Sequence, residues 1–162
     1  MATRISHSPA ETEALGIEWG REAMPGLVVA LSGDLGAGKT RLVTGLARGL
    51  GITERIHSPT FGLINIYTGG RLVLFHLDLY RLETPAQVAA AGLDEYLRPD
   101  GVAVIEWAER LLAPAERSET PFASHGEIFQ SLPPLQGVRL RWADLDVMNE
   151  TERRISYEDF GA

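Results

Sequence analysis

An apolar run, Leu27-Val28-Val29-Ala30-Leu31, leads into Gly33-Asp34-Leu35-Gly36-Ala37-Gly38-Lys39-Thr40, and a helix-like stretch follows. The pattern G-x-x-x-x-G-K-[ST] between a buried strand and a helix constrains the fold more than any other feature of the chain. Its glycines let consecutive backbone N–H groups turn inward around phosphate oxygens, and the helix N-terminus beneath adds favourable potential. Gly33, Asp34, Leu35, Gly36, Ala37, Gly38, Lys39 and Thr40 are therefore the candidate nucleotide-binding residues. The Lys39 ammonium reaches the β and γ phosphates of a nucleoside triphosphate, and the Thr40 hydroxyl can ligate magnesium. A glycine-rich turn that matches by chance is the alternative, and the order of strand, loop, Lys-Thr and amphipathic helix weighs against it. Lys39 is also the single lysine of the chain, so a composition that otherwise uses arginine places its one compact ammonium in this loop.

With 162 residues, 44% hydrophobic and 23% charged, the chain is expected to form one globular domain over 1–162. No apolar run approaches a membrane span and MATRISHSPAE carries no apolar signal segment, so a cytoplasmic location without a membrane partner is expected. The absence of cysteine excludes disulfides, thiolate catalysis and cysteine-bound metals. A net charge of −7 argues against a direct nucleic-acid face, so any work near RNA should run through another protein. His7, His57, His76 and His125 show no zinc-ligand spacing.

Ser8-Pro9-Ala10-Glu11 reads as a capping box, opening a helix to about Ala23 with Ala14, Leu15, Trp19 and Ala23 along one face. Lys39 to Leu50 is the helix of the phosphate loop, closed by Gly51. Strand-like segments from Phe61 to Tyr67 and from Arg71 to Tyr80 flank Thr68-Gly69-Gly70, which suits an antiparallel hairpin. Thr84-Pro85-Ala86-Gln87 starts another helix, Val102 to Ile105 is a second buried strand, and Val138 to Trp142 and Arg154 to Tyr157 alternate like strands. From Leu112 to Gly137 periodicity fades and proline, serine and glutamate increase, so a loop insertion is expected at about 113–137. These elements predict an α/β, P-loop NTPase-like three-layer fold with a mixed central sheet, including the antiparallel hairpin after the loop helix.

A nucleotide hydrolase of this kind needs carboxylates at the ends of strands beside the loop. Val102-Ala103-Val104-Ile105-Glu106 and Phe75-His76-Leu77-Asp78 both end that way, making Glu106 and Asp78 candidate catalytic and magnesium-site residues with Thr40. Solvated strand-end acids are the plain alternative for each. His57-Ser58-Pro59-Thr60-Phe61 occupies the place of a switch segment, where Thr60 can sense the γ phosphate; an ordinary Ser-Pro turn is the other reading.

Taken together, GDLGAGKT, SPTF followed by Tyr67, HLDLYRL from His76 and IEWAER from Ile105 resemble the bacterial TsaE (YjeE-like) ATPases, well over Pro9 to Leu112 and more weakly in the final hairpin. The resemblance implies an ATP/ADP- and Mg2+-dependent ATPase working with TsaB and TsaD to form threonylcarbamoyladenosine in tRNAs reading ANN codons, with tRNA met only through the complex. It assigns phosphates and magnesium to Lys39 and Thr40, support of the metal site to Asp78, the Walker B role to Glu106 and the switch to Thr60. Trp107 is placed near the nucleotide, although a buried core tryptophan fits the same position. The stretch 113–137 departs from the family pattern, as a surface insertion or as a lid or partner contact. Two rivals remain: a small P-loop kinase acting on a small-molecule acceptor, for which the insertion offers only Arg117 as a lid arginine, and a nucleotide-dependent interaction module without significant hydrolysis. A usual GTPase is disfavoured, because an Asn-Lys-x-Asp motif needs a lysine and Lys39 is already used.

Overall fold

The computed structural model describes residues 1–59, 62–97, 99–112, 122–132 and 135–161. Seven strands form one mixed sheet: β1 (Ala2–Ser6), β2 (Leu27–Gly33), β3 (Ile64–Tyr67), β4 (Leu74–Asp78), β5 (Val102–Glu106), β6 (Arg139–Val147) and β7 (Arg153–Phe160). Their order is β1-β7-β6-β2-β5-β4-β3. The centre is parallel, β6 and β5 flanking β2 and β4 joining β5, while β3, β7 and β1 add antiparallel edges. The expected hairpin is present, with shorter strands than the apolar runs predicted. The final hairpin is longer than expected, and its turn is held by the Asn149 side chain, which accepts from the N–H groups of Thr151 and Glu152. β1 has no counterpart in the sequence reading: four of its five residues are exposed, so it lacks a hydrophobic signature.

Helices cover both faces. Val29 and Leu31 of β2 pack toward α1 (Pro9–Glu22) and α2 (Lys39–Gly49), whereas Val28 and Ala30 pack toward α3 (Pro85–Ala90), α4 (Phe122–Ser131) and two short 3-10 turns, Leu93–Tyr96 and Ala108–Leu111. A strand buried on both sides has no polar alternation, which is why β2 and β5 read as unbroken apolar runs.

α1 starts as its capping box predicts: the Ser8 hydroxyl accepts from Glu11 N–H, and the Glu11 carboxylate reaches back to His7 N–H. Its buried face differs from the expected one, because Ala14 is exposed and Thr12, Gly16 and Gly20 are buried beside Leu15 and Trp19. The reason is a backbone contact with α2. A Cβ on Gly45 would stand 2.0 Å from Glu13 O, and one on Gly20 2.2 Å from Leu46 O. Glycines thus let the helices approach more closely than side chains permit, and an apolar-face count does not see them.

The loop expected over 113–137 is corrected in part. Among its described residues, Phe122–Ser131 form α4, and Phe129 is wholly buried with its ring 5.1 Å from that of Trp142. Gly126 weakens the helical signal by about 1 kcal/mol relative to alanine. It is needed where it stands, since a Cβ there would lie 2.2 Å from the Phe160 ring.

Candidate functional site

The phosphate loop joins β2 to α2 with Gly36 and Gly38 at positive φ, 80° and 101°, where L side chains are strained. A cavity of about 450 Å³ opens beside it. Its walls come from the loop, from the start of α1 (Ser8, Pro9, Thr12), from the β6–β7 turn (Glu150, Thr151, Arg153), and from Ser58, Asp78, Tyr80, Glu106 and Trp107. The start of α1 is tied to the end of β1 by a buried bond between Ser6 and Thr12 hydroxyls, 2.7 Å. Arg153 donates to the Gly36 carbonyl, fastening the final hairpin to the loop.

Lys39 is buried and folded over the loop, donating to the carbonyls of Gly33 and Asp34 and lying 4.0 Å from the centre of the Trp107 ring. Burial pushes its ammonium below the ordinary lysine value, against the pull of Glu109, Glu106, Asp78 and Asp34. Trp107 holds φ at 59°, the only positive φ at a non-glycine position among the described residues, and its ring lies 4.9 Å from Tyr80. That turn carries the indole out of the end of β5 to the cavity wall.

Glu106 and Asp78 are cross-strand neighbours at the carboxyl ends of β5 and β4. Glu106 is 2% exposed, and its carboxylate is the hub of the site. Oε1 accepts from the Thr40 hydroxyl at 2.8 Å, and Oε2 lies 2.6 Å from His76 Nε2. The Ser58 hydroxyl, 3.0 Å from Thr40 Oγ1 and 3.4 Å from Glu106 Oε2, completes the cluster. Asp78 accepts from Tyr80 N–H, and burial raises its carboxyl above the ordinary range, with the Glu106 charge adding to the rise. Hydroxyl and carboxylate oxygens form a hard donor set, which suits magnesium: this ion takes one or two protein carboxylates and fills its octahedron with phosphate and water. Among the described residues no group of three or more acids and histidines could hold a metal ion by itself.

With that geometry in place, the comparisons are specific. The family model "Threonylcarbamoyl adenosine biosynthesis protein TsaE" matches residues 6–128. The chain belongs to the TsaE family. Among curated relatives, a tRNA threonylcarbamoyladenosine biosynthesis protein TsaE of Nostoc is 54% identical over 101 residues, 60% of this chain and 62% of that protein. The protein of the same name from Bacillus subtilis is 48% identical over 101 residues, 62% of this chain and 63% of its own. The matched stretch thus spans less than two thirds of either relative. The crystal structure of Bacillus subtilis YdiB superposes with a TM-score of 0.68 at 31% identity, covering 96% of this chain and 83% of that one. The mixed sheet is therefore shared across nearly the whole chain, including the last hairpin, where the sequence resemblance is weakest.

Around this cavity the structure brings together Lys39, Thr40, Asp78, Glu106 and Trp107, with Leu35, Gly36, Ala37 and Gly38 along the same wall. Gly33 and Asp34 line a separate hollow of about 320 Å³ with Ser32, Glu109, Asp144 and Asp146, and Lys39 donates to both of their carbonyls. Leu35 is 72% exposed at the loop tip. Thr60 lies outside the described residues. Sequence reasoning singled out neither Ser58 nor His76 as individual site residues, although both fall inside quoted motifs. It had no means of finding Thr12, Thr151 or Arg153, which only the folded sheet carries to the cavity. No helix among the described residues is long and apolar enough to cross a membrane.

Proposed function

We propose that this chain is a magnesium-dependent ATPase of tRNA threonylcarbamoyladenosine formation, acting in the cytoplasm by driving the cycle of a TsaB–TsaD partner pair. The single observation that carries the ATPase reading is the junction of Thr40 and Glu106, at 2.8 Å, beneath the phosphate loop. A loop that only held phosphate has no need of a carboxylate buried against its threonine. Family membership and the names of the relatives support the tRNA-modification role.

In this reading the backbone N–H groups from Gly36 to Thr40 and the Lys39 ammonium hold the phosphates. Thr40, Glu106 and Asp78 would hold magnesium, which neutralises charge on the β and γ phosphate oxygens. Asp78, paired with Glu106 across the strand ends, would also orient an attacking water, and Trp107 walls the cavity beside Lys39. The segment 57–61 is the natural switch, since Ser58 touches both Thr40 and Glu106 and would register a γ phosphate at once. Of the stretch from which the kinase rival would draw a lid, α4 packs on β6 and β7 and none of its described residues lines the cavity, while 113–121, with Arg117, lie outside the described residues.

The test is calorimetry and turnover with Lys39→Ala and Glu106→Gln. Lys39→Ala should weaken ATP binding about 100-fold, equivalent to about 2.7 kcal/mol. Glu106→Gln should keep the part of ATP affinity that does not depend on magnesium and slow hydrolysis about 10- to 100-fold. Gel filtration with TsaB and TsaD should show a complex with ATP and not with ADP. Parent-like binding by the lysine variant would remove the loop from the mechanism, and a complex indifferent to nucleotide would remove the partner cycle.

A further inference from the structure

We propose that His76 is the positioning residue of the site, an N–H donor that clamps Glu106 Oε2 so that Oε1 faces Thr40 and the magnesium position; this rests on the ATPase reading above. His76 is 0% exposed, and its Nε2 makes the shortest side-chain contact to Glu106, at 2.6 Å. It stands on β4 opposite Val104, two pairs before Asp78 meets Glu106, on the sheet face that carries Leu74 and Val104 into the α1–α2 core.

That location is costly for an imidazole. Its Nδ1 is buried without a hydrogen-bond partner among the described residues, so the side chain carries one satisfied nitrogen into a region a leucine would fill with no polar penalty. A carboxylate oxygen can only accept, so Nε2 is the donor across this contact. The contact with Glu106 is then the one thing histidine does here that an apolar residue cannot. A glutamate's terminal torsion is broad and roughly two-fold, so a carboxylate held only through Oε1 could rotate. Holding Oε2 removes that freedom, and the Ser58 hydroxyl, at 3.4 Å, is too distant to do so alone. Partners that orient metal-binding carboxylates commonly set affinity by about 10- to 100-fold.

The experiment measures ATP affinity by calorimetry with magnesium and with EDTA, for the parent, His76→Leu, His76→Gln and His76→Asn. In EDTA all four should agree within about twofold, because the loop and Lys39 are untouched. With magnesium, His76→Leu and His76→Asn should lose about tenfold of the gain that magnesium confers on the parent. His76→Gln should recover most of it, since its amide nitrogen extends to the position of Nε2 while that of asparagine stops short. Glutamine and asparagine bring similar burial costs, so their difference reads reach rather than stability, and it keeps the test decisive if the leucine variant folds poorly. An unchanged magnesium gain in His76→Asn, or an equal loss in His76→Gln, would overturn the role of His76. If Glu106→Gln abolishes the gain while the His76 variants keep it, the ATPase reading stands and this inference falls. A parent that shows no magnesium gain overturns both.

Discussion

The two faces of the sheet are assembled by different physics. On the face that carries the phosphate loop, α1 and α2 meet backbone to backbone, with Gly16 and Gly20 set against Gly45 and Gly49. On the other, α4 rests on β6 through rings and aliphatic side chains, Phe129 against Trp142 and Leu140 beside them. The first contact fixes where α2 starts, and so where Lys39 and Thr40 stand relative to β5. The second stabilises the sheet without touching the cavity. Side-chain packing can relax around a lost or added atom, whereas two backbones in contact cannot, so the chemistry sits on the face with less freedom.

Three substitutions break or sharpen this contrast. The largest effect is expected for Gly45→Ala, whose new Cβ would fall 2.0 Å from a carbonyl oxygen of α1. Parting the helices should cost about 4 kcal/mol, and whatever still folds should bind ATP more weakly because α2 has moved. Urea unfolding alongside calorimetry would show it, and parent-like values would mean that the helices can separate freely. Next comes Phe129→Ala, which empties a buried ring site for a loss of about 3 kcal/mol while ATP affinity stays at the parent level. Coupled losses of stability and affinity in this variant would erase the distinction between the faces.

The smallest effect belongs to Glu109, in the 3-10 turn where the loop meets the opposite layer. Burial raises its carboxyl above the ordinary value, against the Ser32 hydroxyl and the Lys39 ammonium. A carboxyl with a raised folded value binds its proton more readily folded than unfolded, so its ionisation subtracts stability as pH rises and costs nothing at low pH. Glu109→Gln should therefore raise the melting temperature at about pH 8, with the gain vanishing toward about pH 4, where the unfolded glutamate is itself protonated. A gain independent of pH would assign the effect to packing.

Much of the site was legible because its parts obey local rules. A phosphate loop needs its glycines and its Lys-Thr in one contiguous run, and Glu106 and Asp78 end apolar strands that must be buried to hold the sheet. Capping at Ser8 and Thr84 could be read for the same reason, each being a bond within one turn. The helix Phe122–Ser131 was misread because Gly126 and the residues around it lack helical character of their own, and their conformation is set by Phe160 and Trp142, distant in sequence.

By itself, then, the chain determined that a strand, a phosphate loop and a helix follow one another, that two carboxylates stand at strand ends, and that Lys39 is the one ammonium available. These are consequences of backbone conformation and burial over a few residues. Only the tertiary structure decided that Glu106 rather than Asp78 is the buried hub, because the parallel register of β4 and β5 sets His76 beside one and leaves the other half-exposed. It also decided that the start of α1 and the β6–β7 turn wall the cavity, since strand order and the glycine contact between α1 and α2 are long-range choices. No residue makes such choices alone: they lower the free energy only when both partners are in place.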